Sequence, residues 1–132
     1  MAASIRRHCT IRGPWAAAEA RREMHGLVAD ALLAGEAVSE ATEADAMLVV
    51  SELVSNAVRH AGGGCSVDLA LRPDAMDIDV SDHSREPPRP RSPSPDGDGG
   101  YGWGIIARLT SELTVVCHGS GKTVHARIGL PR

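Results

Sequence analysis

No phenylalanine occurs in these 132 residues, and the aromatic complement is two tryptophans and one tyrosine. A core of this size cannot be aromatic, so it must be packed from Ala, Val, Leu, Ile and Met. The three cysteines, Cys9, Cys65 and Cys117, are odd in number, widely spaced and form no CxxC pair, which argues against a disulfide framework or a zinc site and for a reducing cytoplasm. Six histidines occur, but none shows HxxxH spacing, so histidine-based metal binding is not expected. No apolar run approaches the roughly 18–20 residues needed to span a bilayer. The N-terminal MAASIRRHCTIRG lacks a hydrophobic signal segment. Charge of one sign is lacking too: the net charge is −3 with 23% charged residues, which gives no basic nucleic-acid face and no acidic disordered tail. A soluble, intracellular chain of one domain's length is expected, with no nucleic acid and no membrane among its partners.

What is present centres on Asp45 to Ala61, DAMLVVSELVSNAVRHA. Ala46, Val50, Leu53, Val54, Ala57 and Ala61 recur at three- and four-residue steps and form one buried helical stripe. Glu52, Asn56 and Arg59 share a different side at the same spacing. A carboxylate and a carboxamide one turn apart beside a core stripe fit two descriptions, a solvated face or a general base and metal ligand lining a pocket.

The flanking segments supply candidates for that pocket. His8–Arg12 reads as a short edge strand stopped by Gly13-Pro14. Trp15 to about Leu33 is rich in helix formers, with a stripe of Ala20, Met24, Leu27, Val28, Ala31 and Leu32 and with Arg21, Arg22 and Glu23 outside. Gly35 is a stop signal, and Ser39 or Thr42 can cap the next helix. After Gly62-Gly63-Gly64, two alternating runs, Cys65–Leu71 and Met76–Asp82, predict an antiparallel hairpin. Period-two alternation puts Asp82 on the parity of Met76, Ile78 and Val80, facing the core, unless the strand has already ended there.

Most of the eight prolines then fall between Arg85 and Asp98. This stretch cannot be helix or central strand and reads as an internal loop, either a lid or a solvated connection. Gly99-Gly100-Tyr101-Gly102-Trp103-Gly104 leads into a short helix, Gly104 to about Thr110. Glycines before a helix N-terminus suit an anion, though turn geometry explains them equally. Leu113–Cys117 and Thr123–Leu130 are the last two strands. Lys122 shares the parity of Val124, but its long stem is expected to carry the ammonium out to solvent. The order predicts an α+β two-layer sandwich, a mixed, mostly antiparallel sheet with three helices on one face.

Glu52-Leu-Val-Ser-Asn56-Ala-Val-Arg-His60 resembles the N box of the Bergerat-fold ATPases, the group that includes gyrase, a heat-shock chaperone and the histidine kinases. Val80-Ser81-Asp82 resembles the start of their first glycine box, and Gly100-Tyr-Gly102-Trp-Gly104-Ile their second. The resemblance runs from about residue 8 to 130, and within the group it is strongest to anti-sigma-factor serine/threonine kinases. It implies a single ATP-binding domain over residues 1–132, with a proline-rich lid at 83–99. By the same resemblance Asn56 binds Mg²⁺ and through it the phosphates of ATP. Asp82 holds the adenine amine, and Gly100, Gly102 and Gly104 lie against the nucleotide. Glu52 is the catalytic base that phosphorylates a serine on an anti-anti-sigma partner. A sigma factor is the other implied partner, gripped through the first helix, where Arg21 and Arg22 lie, and a homodimer is a candidate assembly.

Three departures stand out. The family's DxGxG becomes Asp82-His83-Ser84-Arg85-Glu86, the leucines of the second glycine box become Trp103 and Ile105, and Lys122 follows Gly121 where the family often has Thr. The retained Glu52 favours a kinase. The altered glycine box favours a non-catalytic module that sequesters a transcription regulator. An ATPase module acting with a separate histidine-containing partner is a third description.

Overall fold

The structure is a computed structural model and describes residues 4–61, 63–84 and 102–131. Strand β1 (Ile5–Arg12) is followed by α1 (Ala16–Leu33) and α2 (Glu40–Ala61), the hairpin β2 (Gly64–Leu71) and β3 (Ala75–Asp82), the short α3 (Gly102–Leu109), and the hairpin β4 (Glu112–His118) and β5 (Gly121–Gly129). The five strands form one sheet in the order β1-β2-β3-β5-β4. Each of the four pairings is antiparallel, so the sheet carries no parallel ladder among the described residues. β1 is an edge strand, as expected, and begins at Ile5, three residues before the HCTIR run.

Local chemistry sets the helix ends. Gly13 and Gly35 both take φ of +85°, a conformation open to glycine without a Cβ penalty. At Gly35 the α1 C-terminus closes with a Schellman pair: Glu36 N–H donates to Ala31 O at 2.8 Å and Gly35 N–H to Leu32 O at 3.1 Å. α2 opens on Ser39, whose Oγ accepts the Thr42 N–H at 3.1 Å, with Glu40 and Glu43 in the first turn favoured by the helix dipole.

Register explains the core. Cys9, Val67, Val80, Val124 and Val115 lie opposite one another across all five strands, and Leu69, Ile78, Ala126 and Leu113 form the next row. This face meets Met24, Leu27 and Ala31 of α1, Val49, Val50, Leu53 and Val54 of α2, and Ile106 of α3, each fully or almost fully buried. Fully burying a Val, Leu, Ile or Met contributes about 1.5–3 kcal/mol, so an all-aliphatic core suffices. α1 packs on β1 and β2, α2 lies across β2, β3 and β5, and α3 packs on α2.

The α1 stripe differs from expectation at its end. Leu32 is 67% exposed and Val28 half-buried, whereas Ala16, Ala20, Met24, Leu27 and Ala31 are buried. One residue beyond Ala31 is a turn of about 100°, which carries Leu32 off the sheet. The inward parity of β1 also includes a charge. Arg7 shares the face of Ile5, Cys9 and Ile11 and reaches over α1, where it donates to Glu23 at 3.0 Å and Asp30 at 3.1 Å. Gly26 makes room for it, since a Cβ there would run into the guanidinium. The opposite face of the sheet is held by ion pairs, Asp77 receiving Arg127 at 2.8 Å and Arg72 at 2.9 Å.

Candidate functional site

The long amphipathic run is the central helix α2, and it presents Glu52 and Asn56, both half-buried, one turn apart beside the buried Leu53 and Ala57. Among the described residues neither side chain makes a hydrogen bond or ion pair. The Glu52 carboxylate lies against the first residue of α3. A Cβ on Gly102 would meet the end of the Glu52 side chain, which would have to swing aside to admit it. Gly104 is different: it is exposed, and a Cβ there would meet nothing within 4 Å. Gly100 lies outside the described residues, as does most of the proline-rich lid at 83–99. α3 begins at Gly102, two residues before its predicted start, and Trp103 in its first turn packs against the hydrophobic core.

Asp82 ends β3 on the core side, as its parity requires, and is 5% exposed. It shares with Asn56 a cavity of about 10 Å³ between α2 and the sheet. That is about the room for one water. The structure therefore brings Asn56 and Asp82 together, and places Glu52 at the neighbouring α2–α3 junction.

Lys122 corrects the sequence-based expectation. It does not reach solvent. It is 2% exposed, and its Nζ lies 3.0 Å and 2.9 Å from the two carboxylate oxygens of Asp82. The physical reason is register. Lys122 lies directly opposite Asp82 on the adjacent antiparallel strand, on the same inward parity. A buried carboxylate needs a counter-charge more than the lysine needs water. The backbone N–H of Ser84 adds a third hydrogen bond to Asp82, at 2.7 Å. Nearby, burial pushes the Cys65 thiol up to about 11, with the Asp82 charge adding to the shift. The inward parity of Lys122 was legible in the sequence, whereas its position opposite Asp82 comes from the β3–β5 register.

A roomier cavity, about 400 Å³, opens at the same end of the sheet, lined by outward-facing Thr10, Arg12, Ser66 and Ser81 and by His83 and His118. It does not contain Glu52 or Asn56. Asp82 lines this cavity as well as the smaller one, whereas Asn56 lines the smaller one alone. Among the described residues no group of three or more His, Cys, Asp or Glu could hold a metal ion, and no helix is long and apolar enough to cross a membrane.

An antiparallel sheet with α2 laid across its middle and α1 and α3 beside it make an α+β two-layer sandwich. The sequence matches the histidine kinase-like ATPase domain over residues 15–128, and the chain belongs to that family. Among curated proteins, none matches the sequence. Among solved structures, the fold is similar to the RsbU and RsbW domains of Rv1364c from Mycobacterium tuberculosis, with a TM-score of 0.69 at 20% identity. The match covers 96% of this chain and 32% of that one, so this chain spans about a third of its length.

Proposed function

We propose that this domain binds ATP with Mg²⁺ and transfers the terminal phosphate to a serine or threonine of a protein partner, as an anti-sigma-factor kinase does. The observation that carries this is α2, which holds a carboxylate and a carboxamide one turn apart with no partner of their own among the described residues. Asn56 is the oxygen that would hold Mg²⁺, which supplies charge neutralisation on the phosphates. Glu52 would take the proton of the partner's hydroxyl as its oxygen bonds to the γ-phosphorus and the bond to ADP breaks. Gly102 would leave the Glu52 carboxylate room at the start of α3. Asp82 would accept the amine of adenine. A sigma factor and an anti-anti-sigma protein are the proposed partners, and the fold likeness to an RsbW domain supports that pairing.

The test follows labelled γ-phosphate from ATP onto candidate partner proteins. Wild type is expected to label a serine or threonine. Glu52→Ala should slow transfer by about 10²–10⁴-fold while ATP still binds, and Asn56→Ala should lose Mg²⁺-dependent ATP binding. Transfer by Glu52→Ala at the wild-type rate would remove Glu52 from the role of base.

A second reading is favoured by one observation. With Asp82 held by Lys122 in a cavity of about 10 Å³, the domain would act as a binding module that sequesters a regulator without phosphorylating it. Partner binding that is indifferent to ATP, with no label transferred, distinguishes it.

A further inference from the structure

Both oxygens of Asp82 are engaged by one ammonium, at 2.9 and 3.0 Å. The two side chains are 1% and 3% exposed, so no solvent competes for either charge. Lys122 projects from β5 directly opposite Asp82 on β3, so each time the two strands pair the ammonium is delivered to the same place. In chemical terms Nζ is a nitrogen donor on a carboxylate acceptor, which is also what the six-amino group of a purine would be at Asp82. The carboxylate already takes three hydrogen bonds, two from Nζ and one from the Ser84 N–H at 2.7 Å, and the cavity of about 10 Å³ that Asp82 shares with Lys122 and Asn56 has no room for a base beside the ammonium.

We propose that Lys122 sets the base selectivity of this pocket, as a tethered competitor that occupies the place of a purine's six-amino group on Asp82. The inference rests on the nucleotide reading above. Being part of the same chain, Lys122 competes at a high effective concentration that free nucleotide must overcome. A six-oxo base has no amine to offer and gains nothing from a bare carboxylate, so removal of the competitor helps the two kinds of purine unequally. Lys122 engages the acceptor at Asp82, so in this proposal it acts on the base rather than on the phosphates.

The experiment titrates full-length wild type, Lys122→Thr and Lys122→Gln with ATP and with inosine triphosphate by calorimetry in the presence of Mg²⁺, with thermal melts to check folding. Lys122→Thr is expected to bind ATP at least about tenfold tighter than wild type, the size of one hydrogen bond to a charged group, while inosine triphosphate binding stays within about threefold. Lys122→Gln retains a neutral donor to Asp82, and so keeps the fold if Lys122→Thr does not. It is expected to gain about threefold for ATP alone. Equal gains for both nucleotides would be the signature of a cavity merely opened, and would overturn the proposal. So would no gain for ATP in the folded variants, with the nucleotide reading intact if wild type binds ATP. Folded proteins that bind neither nucleotide would instead overturn the nucleotide reading, and this inference with it.

Discussion

Removing the Lys122 ammonium while Asp82 stays in place isolates what holds the pocket end of the domain together. At 2.9 Å, with an effective dielectric of about 20, two unit charges attract by about 6 kcal/mol. Desolvation of both ions consumes most of that, so the pair is close to neutral against an apolar replacement. Breaking it is another matter. Lys122→Met leaves a buried carboxylate with the Ser84 N–H as its remaining described donor, and the expected loss is about 3–5 kcal/mol. Asp82→Leu strands a buried ammonium, with a loss of the same size. The double variant Asp82→Leu/Lys122→Met removes both charges and is expected to lose about 1 kcal/mol or less, since no buried charge is left without its counter-ion. Urea unfolding followed by circular dichroism measures all four proteins. Melting points should fall by about 10–20 °C in each single variant and recover in the double. Single losses under about 1 kcal/mol, or losses that simply add in the double variant, would refute a dry, mutually dependent pair.

Other consequences are as direct. Gly121→Ala puts a Cβ into the backbone of Asp82 and His83, which cannot move aside as a flexible side chain could; a loss of about 2–4 kcal/mol is expected, while Gly119→Ala, whose Cβ would meet nothing within 4 Å, should stay within about 0.5 kcal/mol of wild type in the same melts. Ser39→Ala removes the α2 cap and should cost about 1 kcal/mol by urea titration. Burial raises the thiols of Cys9 and Cys65 to about 11, so both stay protonated well past pH 8 and become reactive only as the pH climbs toward that value. At pH 8 each should react with a disulfide reagent about a hundredfold more slowly than in urea-unfolded protein, and equal rates before and after unfolding would contradict the burial.

Much of this architecture was legible in the sequence because periodicity reports burial directly. The α2 stripe from Ala46 to Ala57, the hairpin of β2 and β3 and the inward parity of Asp82 depend only on which side each residue turns, and the structure places them so, with the burial of Ala61 outside what is described. The end of α1 was harder. Leu32 looks like core by composition, but it lies about 100° around the helix from the buried Ala31, and no local pattern records how wide a stripe the partner layer will cover. Lys122 was harder for a different reason. Its parity pointed inward, yet a lysine alone is placed by its affinity for water, and only the register that sets it opposite Asp82 reverses that preference. Glu52 against Gly102 joins segments fifty residues apart, so the glycine's spacing could suggest an anion loop but not which carboxylate it would admit.

Arg7 on the outermost strand has a consequence for alignment. Side chains alternate along β1, so a slip of one residue would exchange Ile5, Cys9 and Ile11 for Arg6, His8 and Thr10 against the helical layer. The same slip would pull the guanidinium out of the notch over Gly26 and away from Glu23 and Asp30. An edge strand is bonded on one side alone and is therefore the strand most free to shift. Here a single inward cation, seated between two acids of α1, works as a locating pin. It fixes which residue of β1 faces which residue of β2, and with that the starting register from which the rest of the sheet is counted.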